Sequence, residues 1–459
     1  MTSPTLTFLG AAGTVTGSRF RIDAEGGAVL VDAGLYQGPA DLRRRNWAPD
    51  EGAASLAAVV VTHAHLDHCG YLPCLVRDGF VGRIVCTRET AELVAIVLRD
   101  SAHLQEEDAR HANEHGFSKH RPALPLYDAA DVERTLALVD PVGYGAETTL
   151  LPGVAATLRP AGHILGSASA LLEVDGQRLV VSGDLGRPHH PLLRSPAAVP
   201  AAGTVVVEST YGDRTHAPGQ PHLLADAVRR TVRRGGCVLI PAFAVDRTEL
   251  VLLELHRMVA AGEVPRVPVF LDSPMALATL EVYRRAVEKG SPQLRPEARE
   301  LLVALDALRV QPVADAAESI RLNNPTAPCI VVSASGMATG GRVVHHLAEQ
   351  LPDPRNCVVL TGYQAIGTRG RQLLDGAAEV KIHGRYVPVR AEVVDDPDFS
   401  VHADGDELLA WLATAPEPPR TAYVVHGEQH GSVRLAARIR TELGWTAVVP
   451  RLGELVRLD

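Results

Sequence analysis

Runs rich in β-branched residues and bounded by glycine, proline or aspartate recur along this chain, the pattern of buried strands. They predict strands at 6–10, 28–32, 57–62, 83–87, 168–174, 177–182, 203–208, 236–241, 269–271, 329–333, 356–361 and 421–426. Apolar positions three and four apart predict helices over 88–115, 220–234, 247–261 and 341–351. The fold class is α/β, with no internal repeat and no low-complexity segment.

The rhythm changes along the chain. Early strands come as hairpin-like pairs, as at 168–174 and 177–182 around the turn signal Asp175-Gly176. From about residue 213 to 375 strand and helix alternate, which predicts a mostly parallel sheet. Strand pairing is expected to return near 381–394. One α/β unit inserted into another accounts for this, with boundaries expected at 1–212, 213–398 and 399–459.

Composition narrows the class. Hydrophobic content of 46% and charged content of 22% are those of a globular protein. No long apolar run and no signal-peptide pattern occurs, so a cytoplasmic protein without membrane contact is expected. Cys69, Cys74, Cys86, Cys237, Cys329 and Cys357 form no CxxC pair and are expected as buried free thiols. With 45 basic and 54 acidic residues the net charge is −9, which argues against indiscriminate coating of nucleic acid. A local basic channel or bound cations still permit a nuclease.

The chemistry concentrates in Thr62-His63-Ala64-His65-Leu66-Asp67-His68, directly after an apolar strand. Imidazole nitrogen and carboxylate oxygen are ligands that zinc accepts, and two ions need more donors than one loop supplies. His163, Asp184 and His426 each stand where a strand gives way to a loop. The competing reading, a solvated histidine cluster, explains none of this convergence. The donor set also admits manganese or iron.

HxHxDH followed by a histidine, an aspartate and a last histidine resembles the metallo-β-lactamase superfamily. Glu208-Ser209-Thr210-Tyr211-Gly212, Phe399-Ser400-Val401-His402-Ala403-Asp404 and Val425-His426-Gly427-Glu428 resemble its β-CASP nuclease branch, which includes the endonuclease of messenger-RNA 3′-end processing. The resemblance runs from about residue 8 to 428. It implies an αββα metallo-β-lactamase sandwich, residues 1–212 and 399–459, interrupted by a β-CASP domain at 213–398.

It also implies two zinc ions. His63, His65 and His163 would hold one, and Asp67, His68 and His426 the other, with Asp184 bridging. Asp67, Glu208 and His402 would be catalytic: Glu208 would orient His402, which would protonate the leaving oxygen. Without the resemblance, Glu208 as a turn cap and His402 as a loop residue read equally well. Histidine at position 426 goes with the RNA-processing members of the branch. The implied activity is endonucleolytic hydrolysis of single-stranded RNA by metal-activated water, with 5′-to-3′ exonuclease action as a second mode and a homodimer compatible.

Ser333–Arg342 joins a strand to a helix through small residues, and Ser335, Gly336 and Arg342 are expected phosphate contacts. At the junction Pro241–Arg247, relatives commonly carry glycine where this chain has Asp246. His103, Glu107 and His111 share one face of a helix and read better as a solvated edge than as ligands. Arg43-Arg44-Arg45 could touch nucleic acid but reads better as a solvated run on a loop. Two rivals remain: hydrolysis of a small ester, thioester or lactone, which needs no inserted domain, and a non-catalytic scaffold, which would not keep every ligand. With no further segment expected beyond Asp459, recognition falls to the inserted domain and the cleft.

Overall fold

The computed structural model describes residues 3–116, 118, 120–216, 223–313 and 315–458. The chain divides into two units, one built from Met1–His216 and His402–Asp459, the other from Ala217–Val401.

In the first unit two seven-stranded sheets face each other. One runs Leu455–Arg457, Thr5–Phe8, Phe20–Ala24, Gly27–Val31, Leu56–Val60, Arg83–Thr87, Val139–Val142. The other runs Ala447–Val448, Thr421–Val424, Thr204–Val207, Gln177–Val181, Ala168–Val174, Val154–Pro160, Glu147–Leu151. Their inner faces share one core: Leu6, Phe8, Ile22, Val29 and Val31 from the first meet Leu158, Leu172, Val181 and Val206 from the second. Alternation along each strand supplies that face, and burial of this apolar area is the main term holding the sheets together.

Helices cover the outer faces. Arg88–His115 buries Leu93, Val94, Val97, Leu98 and Ala102, a stripe at helical spacing, and starts at Thr87, whose hydroxyl accepts from Thr90 N. Over the second sheet, Gly405–Leu412 and Gln429–Arg438 contribute Leu408, Leu409, Trp411, Leu412, Leu435 and Ala436 to a second core. Asp404 and Glu407 form a reciprocal capping box at the start of Gly405–Leu412. Among the described residues no helix is long and apolar enough to cross a membrane.

The second unit holds a six-stranded sheet in the order Gln311–Pro312, Val269–Leu271, Ile330–Ser333, Val238–Pro241, Cys357–Leu360, Glu392–Asp395, all neighbours parallel. Its helix Leu223–Arg233 is the one expected over 220–234, whose first three positions lie outside the described residues. Strand pairing near 381–394 differs from expectation. Glu379–Ile382 and Arg385–Pro388 do form a hairpin, but Glu392–Asp395 joins the parallel sheet beside Cys357–Leu360. All six cysteines are buried free thiols.

Candidate metal centre

The strand Leu56–Val60 ends in the loop that carries His63, His65, Asp67 and His68. A second segment, residues 32–35, holds this loop through its backbone. Ala33 N donates to His68 O at 2.7 Å and Leu35 N to Leu66 O at 2.8 Å, while Ser18 N donates to Asp67 O at 2.8 Å. Approach is so close that a Cβ on Gly34 would fall 1.6 Å from Asp67 O. From the other sheet, Ser167 Oγ accepts the amides of His163 and Ile164. His426 N donates to Ala11 O at 2.7 Å, fixing the last histidine against the first sheet's end.

These supports gather the side chains named from the sequence. His63 Nε2 and His65 Nδ1 are 3.1 Å apart, and His163 Nε2 lies 3.3 Å from His65 Nδ1. Asp184 Oδ2 is 3.5 Å from His63 Nε2 and 3.7 Å from His163 Nε2. On the other side, His68 Nε2 is 3.1 Å from His426 Nε2, and His426 Nε2 is 3.5 Å from Asp67 Oδ2. Asp184 Oδ1 faces this second group, 3.3 Å from His68 Nε2 and 3.4 Å from His426 Nδ1. One carboxylate thus turns one oxygen to each trio.

The donor set fits metal ions. A tetrahedron with ligand bonds of about 2.0–2.1 Å has edges of about 3.3–3.4 Å, the spacing found here. Asp184 Oδ1 is buried with no hydrogen-bond partner among the described residues. Burial holds the imidazoles of His63 and His163 well below the usual histidine range and brings His65 to about 4, so all three offer lone pairs. His68 and His426 behave oppositely. Burial pulls both down, but Asp184 with Asp32 lifts His68, and Asp184 with Asp67 lifts His426. Burial would raise Asp184, yet His426, His68 and His63 hold it well below the carboxylate range. A cation at this position would take the place of those protons.

Asp32 has no part in the sequence reading and proves central. It is fully buried and accepts from Ser18 Oγ at 3.0 Å, Thr62 N at 2.8 Å and Thr62 Oγ1 at 3.0 Å. Its Oδ2 lies 2.7 Å from His68 Nδ1, which turns His68 Nε2 toward Asp184 and His426. The available signal was an acidic residue closing a buried apolar run.

Beside the cluster, Glu208 is completely buried, accepting from Leu185 N at 2.6 Å and Thr210 N at 3.2 Å. His402 Nδ1 lies 3.4 Å from its Oε1, and the His402 ring stands 4.4 Å from that of His163. The His402 side chain keeps 15% exposure, so its outer edge meets solvent.

Ser335, Gly336 and Arg342 lie in the second unit. Ser335 Oγ bonds Thr339 Oγ1 within its own loop. Gly336 is packed under the Phe243 ring, where a Cβ would come within 2.5 Å. Arg342 Nη1 donates to Asp272 Oδ1 at 2.7 Å and to Val313 O at 3.0 Å. Asp246 takes a φ of +70°, a conformation that glycine holds without strain, and accepts the Tyr283 hydroxyl at 2.6 Å. His103 pairs with Glu107 on an exposed helix face, while His111 gathers instead with Glu114 and His115.

A sandwich of two mixed sheets bearing a histidine–aspartate cluster at the strand ends is the architecture of a metal-dependent hydrolase. The model of the metallo-β-lactamase superfamily matches residues 15–222, that of the Beta-Casp domain 248–373, and that of the Zn-dependent metallo-hydrolase RNA specificity domain 386–450. The chain is 36% identical over 448 residues to Ribonuclease TTHA0252 of Thermus thermophilus, covering 97% of this chain and 98% of that protein. It is 31% identical over 459 residues to an RNase J-like protein of Methanocaldococcus jannaschii, covering 98% and 99%. Transcription termination factor FttA of the same archaeon is 30% identical over 476 residues, covering 99% of this chain and 71% of its own. A crystal structure of a protein of unknown function from Enterococcus faecalis V583 superposes over 100% of both chains with a TM-score of 0.53 at 14% identity, a likeness of fold. The chain belongs to the β-CASP family of the metallo-β-lactamase superfamily.

Proposed function

We propose that this protein is a zinc-dependent endoribonuclease that hydrolyses phosphodiester bonds of single-stranded RNA in the cytoplasm, with 5′-to-3′ exonuclease action as a second mode. The observation that carries the reading is the pairing of a two-sided donor cluster with the couple of buried Glu208 and part-exposed His402 at its edge. Relatives named as ribonucleases, and a matched domain described as conferring RNA specificity, support RNA as the polymer. We assign residues 1–212 and 399–459 to the metal-bearing domain and 213–398 to the inserted one.

His63, His65 and His163 would hold one zinc ion, Asp67, His68 and His426 the second, with Asp184 between them. Two such ions supply a Lewis acid for the phosphoryl oxygens and a water made acidic near neutral pH. The chain's own part is positioning and proton transfer. Asp67, whose side chain is 21% exposed against 2% for Asp184, is placed to hydrogen-bond an entering water. Glu208, pinned by two backbone amides, fixes the His402 ring through Nδ1 and leaves Nε2 to give its proton to the departing 3′-oxygen. Because water is the nucleophile, 5′-phosphate and 3′-hydroxyl ends result. Ser335, Gly336 and Arg342 are our assigned phosphate contacts in the inserted domain, with Asp272 offsetting part of the arginine's charge.

The test is His402→Ala in zinc-loaded protein, assayed on 5′-labelled single-stranded RNA beside the matching DNA. A fall in kcat of about 10²–10⁴-fold at unchanged metal content is expected, the range for loss of a general acid. Cleavage at the wild-type rate, or 2′,3′-cyclic phosphate products, refutes the assignment.

A further inference from the structure

The Arg43–Arg45 run lies on a short helix, Ala40–Arg45, that buries none of its residues. Nothing in the core requires this helix, so packing does not explain its sequence. Many surface arginines of this chain pair with a carboxylate, as Arg99 does with Glu133 and Arg230 with Glu392; Arg43, Arg44 and Arg45 have no carboxylate within ion-pair distance among the described residues. Asp41 stands in the helix's first turn, and Asp50 accepts Gly52 N at 2.9 Å. Directly after the helix, Trp47 is 57% exposed. The chain's other two tryptophans, Trp411 and Trp445, are 7% and 8% exposed.

The patch is tied to the metal loop. Between the arginines and Trp47, Asn46 is buried and grips Tyr36 from both sides, its Oδ1 accepting Tyr36 N at 2.9 Å and its Nδ2 donating to Tyr36 O at 2.8 Å. The neighbouring Leu35 N donates to Leu66 O, one residue before Asp67. Arg44 Nε donates to Ala40 O at 3.1 Å and the Arg45 guanidinium lies 5.9 Å from the Tyr36 ring centroid, which leaves each fork further donors. Beside an exposed indole these cations offer phosphate contacts and a stacking surface together, and stacking on an aromatic side chain accepts any base.

We propose that Arg43–Arg45 and Trp47 form a docking surface for the single-stranded RNA, with one unpaired base stacked on Trp47 and adjacent phosphates on the arginines. The inference rests on the ribonuclease reading and names a surface that reading does not use. Charge complementarity selects the occupant: unneutralised cations on a chain of net charge −9 suit a polyanion better than a second copy of that chain.

Trp47 is a built-in probe, because it is the exposed member of three tryptophans. Single-stranded RNA is titrated into the metal-loaded His402→Ala protein while emission and iodide quenching are read. Binding should shield Trp47 and lower the quenching constant, and the same titration in Trp47→Phe should lack that change. In cleavage assays Trp47→Ala should raise KM about tenfold, the order of one base stack. Trp47→Phe should recover most of it, and Val81→Ser, an exposed apolar side chain elsewhere in the same unit, should leave KM alone. Replacing the three arginines by glutamine should flatten the log KM against log salt slope by up to about 2. RNA cut by the wild type with Trp47 still open to iodide overturns this surface alone. A protein that neither binds nor cuts RNA overturns the ribonuclease reading with it. A dimer in sedimentation that Trp47→Ala dissociates assigns the patch to a second copy and overturns the proposal.

Discussion

Asp32→Asn isolates the outer support of one half of the metal cluster. The substitution keeps shape and suits the backbone, because Asp32 has a φ of +59° and asparagine tolerates that region as aspartate does. Asp32→Ala would add left-handed strain of about 1–2 kcal/mol and confuse the result. What Asn removes is the charge that Asp32 Oδ2 presents to His68 Nδ1 at 2.7 Å, together with one or more of the bonds from Ser18 and Thr62. Loss of such an outer partner weakens metal binding by about 10–100-fold, or about 1.4–2.7 kcal/mol. The loss should fall mainly on the side of His68, which Asp32 touches directly, since His63 is reached only through Thr62 Oγ1, 3.2 Å from its Nδ1. Chelator competition on the apo-protein, read as metal bound against free metal, should therefore split into two steps in the variant, one unshifted and one weaker by that factor. Equal weakening of both steps, or wild-type affinity throughout, refutes the view that Asp32 acts through His68.

Gly34→Ala places a methyl group 1.6 Å from Asp67 O, and relief requires moving either the loop or the strand end. A stability loss above about 3 kcal/mol, with metal content reduced, is expected in urea unfolding and metal analysis; a stable variant with full metal content contradicts the clamp. Glu249 is fully buried, and burial with Asp246 nearby raises its pKa well above the carboxylate range. A raised folded-state value means its stability contribution is intact below the unfolded pKa and is lost as pH rises through the folded one. Glu249→Gln should accordingly lose less stability between pH 5 and pH 8 than the wild type, and parallel melting curves across that range would disprove it.

Local pattern carried much of the molecule. The strands 83–87, 168–174 and 269–271 and the long helix 88–115 have the bounds expected, because each has clear punctuation: Gly82 before Arg83, Asp175-Gly176 after Val174, a threonine cap at Thr87. Strands such as Phe20–Ala24, Glu147–Leu151 and Val154–Pro160 escaped, since Arg21, Asp23, Glu147, Thr149 and Arg159 interrupt the apolar run on the face away from the core. Glu392–Asp395 reads as a hairpin partner on sequence distance alone; its actual neighbour, Cys357–Leu360, is a parallel strand reached by a crossover. The histidines and aspartates of the cluster were visible as residue types at strand ends. Asp32 was not, because an aspartate after a strand usually marks only a turn, and its left-handed φ and its four polar contacts, from Ser18, Thr62 and His68, exist only once the strand ends of the first sheet come together.

The strand Thr204–Val207 pairs in parallel with Thr421–Val424, which leads directly into His426. During translation, therefore, one trio of the cluster has no third donor until the ribosome has passed the entire inserted unit. A nascent chain bearing the first histidines emerges near messenger RNA with its centre half assembled. Order of synthesis thus withholds the last donor, and with it the complete cluster, until the chain has closed on itself.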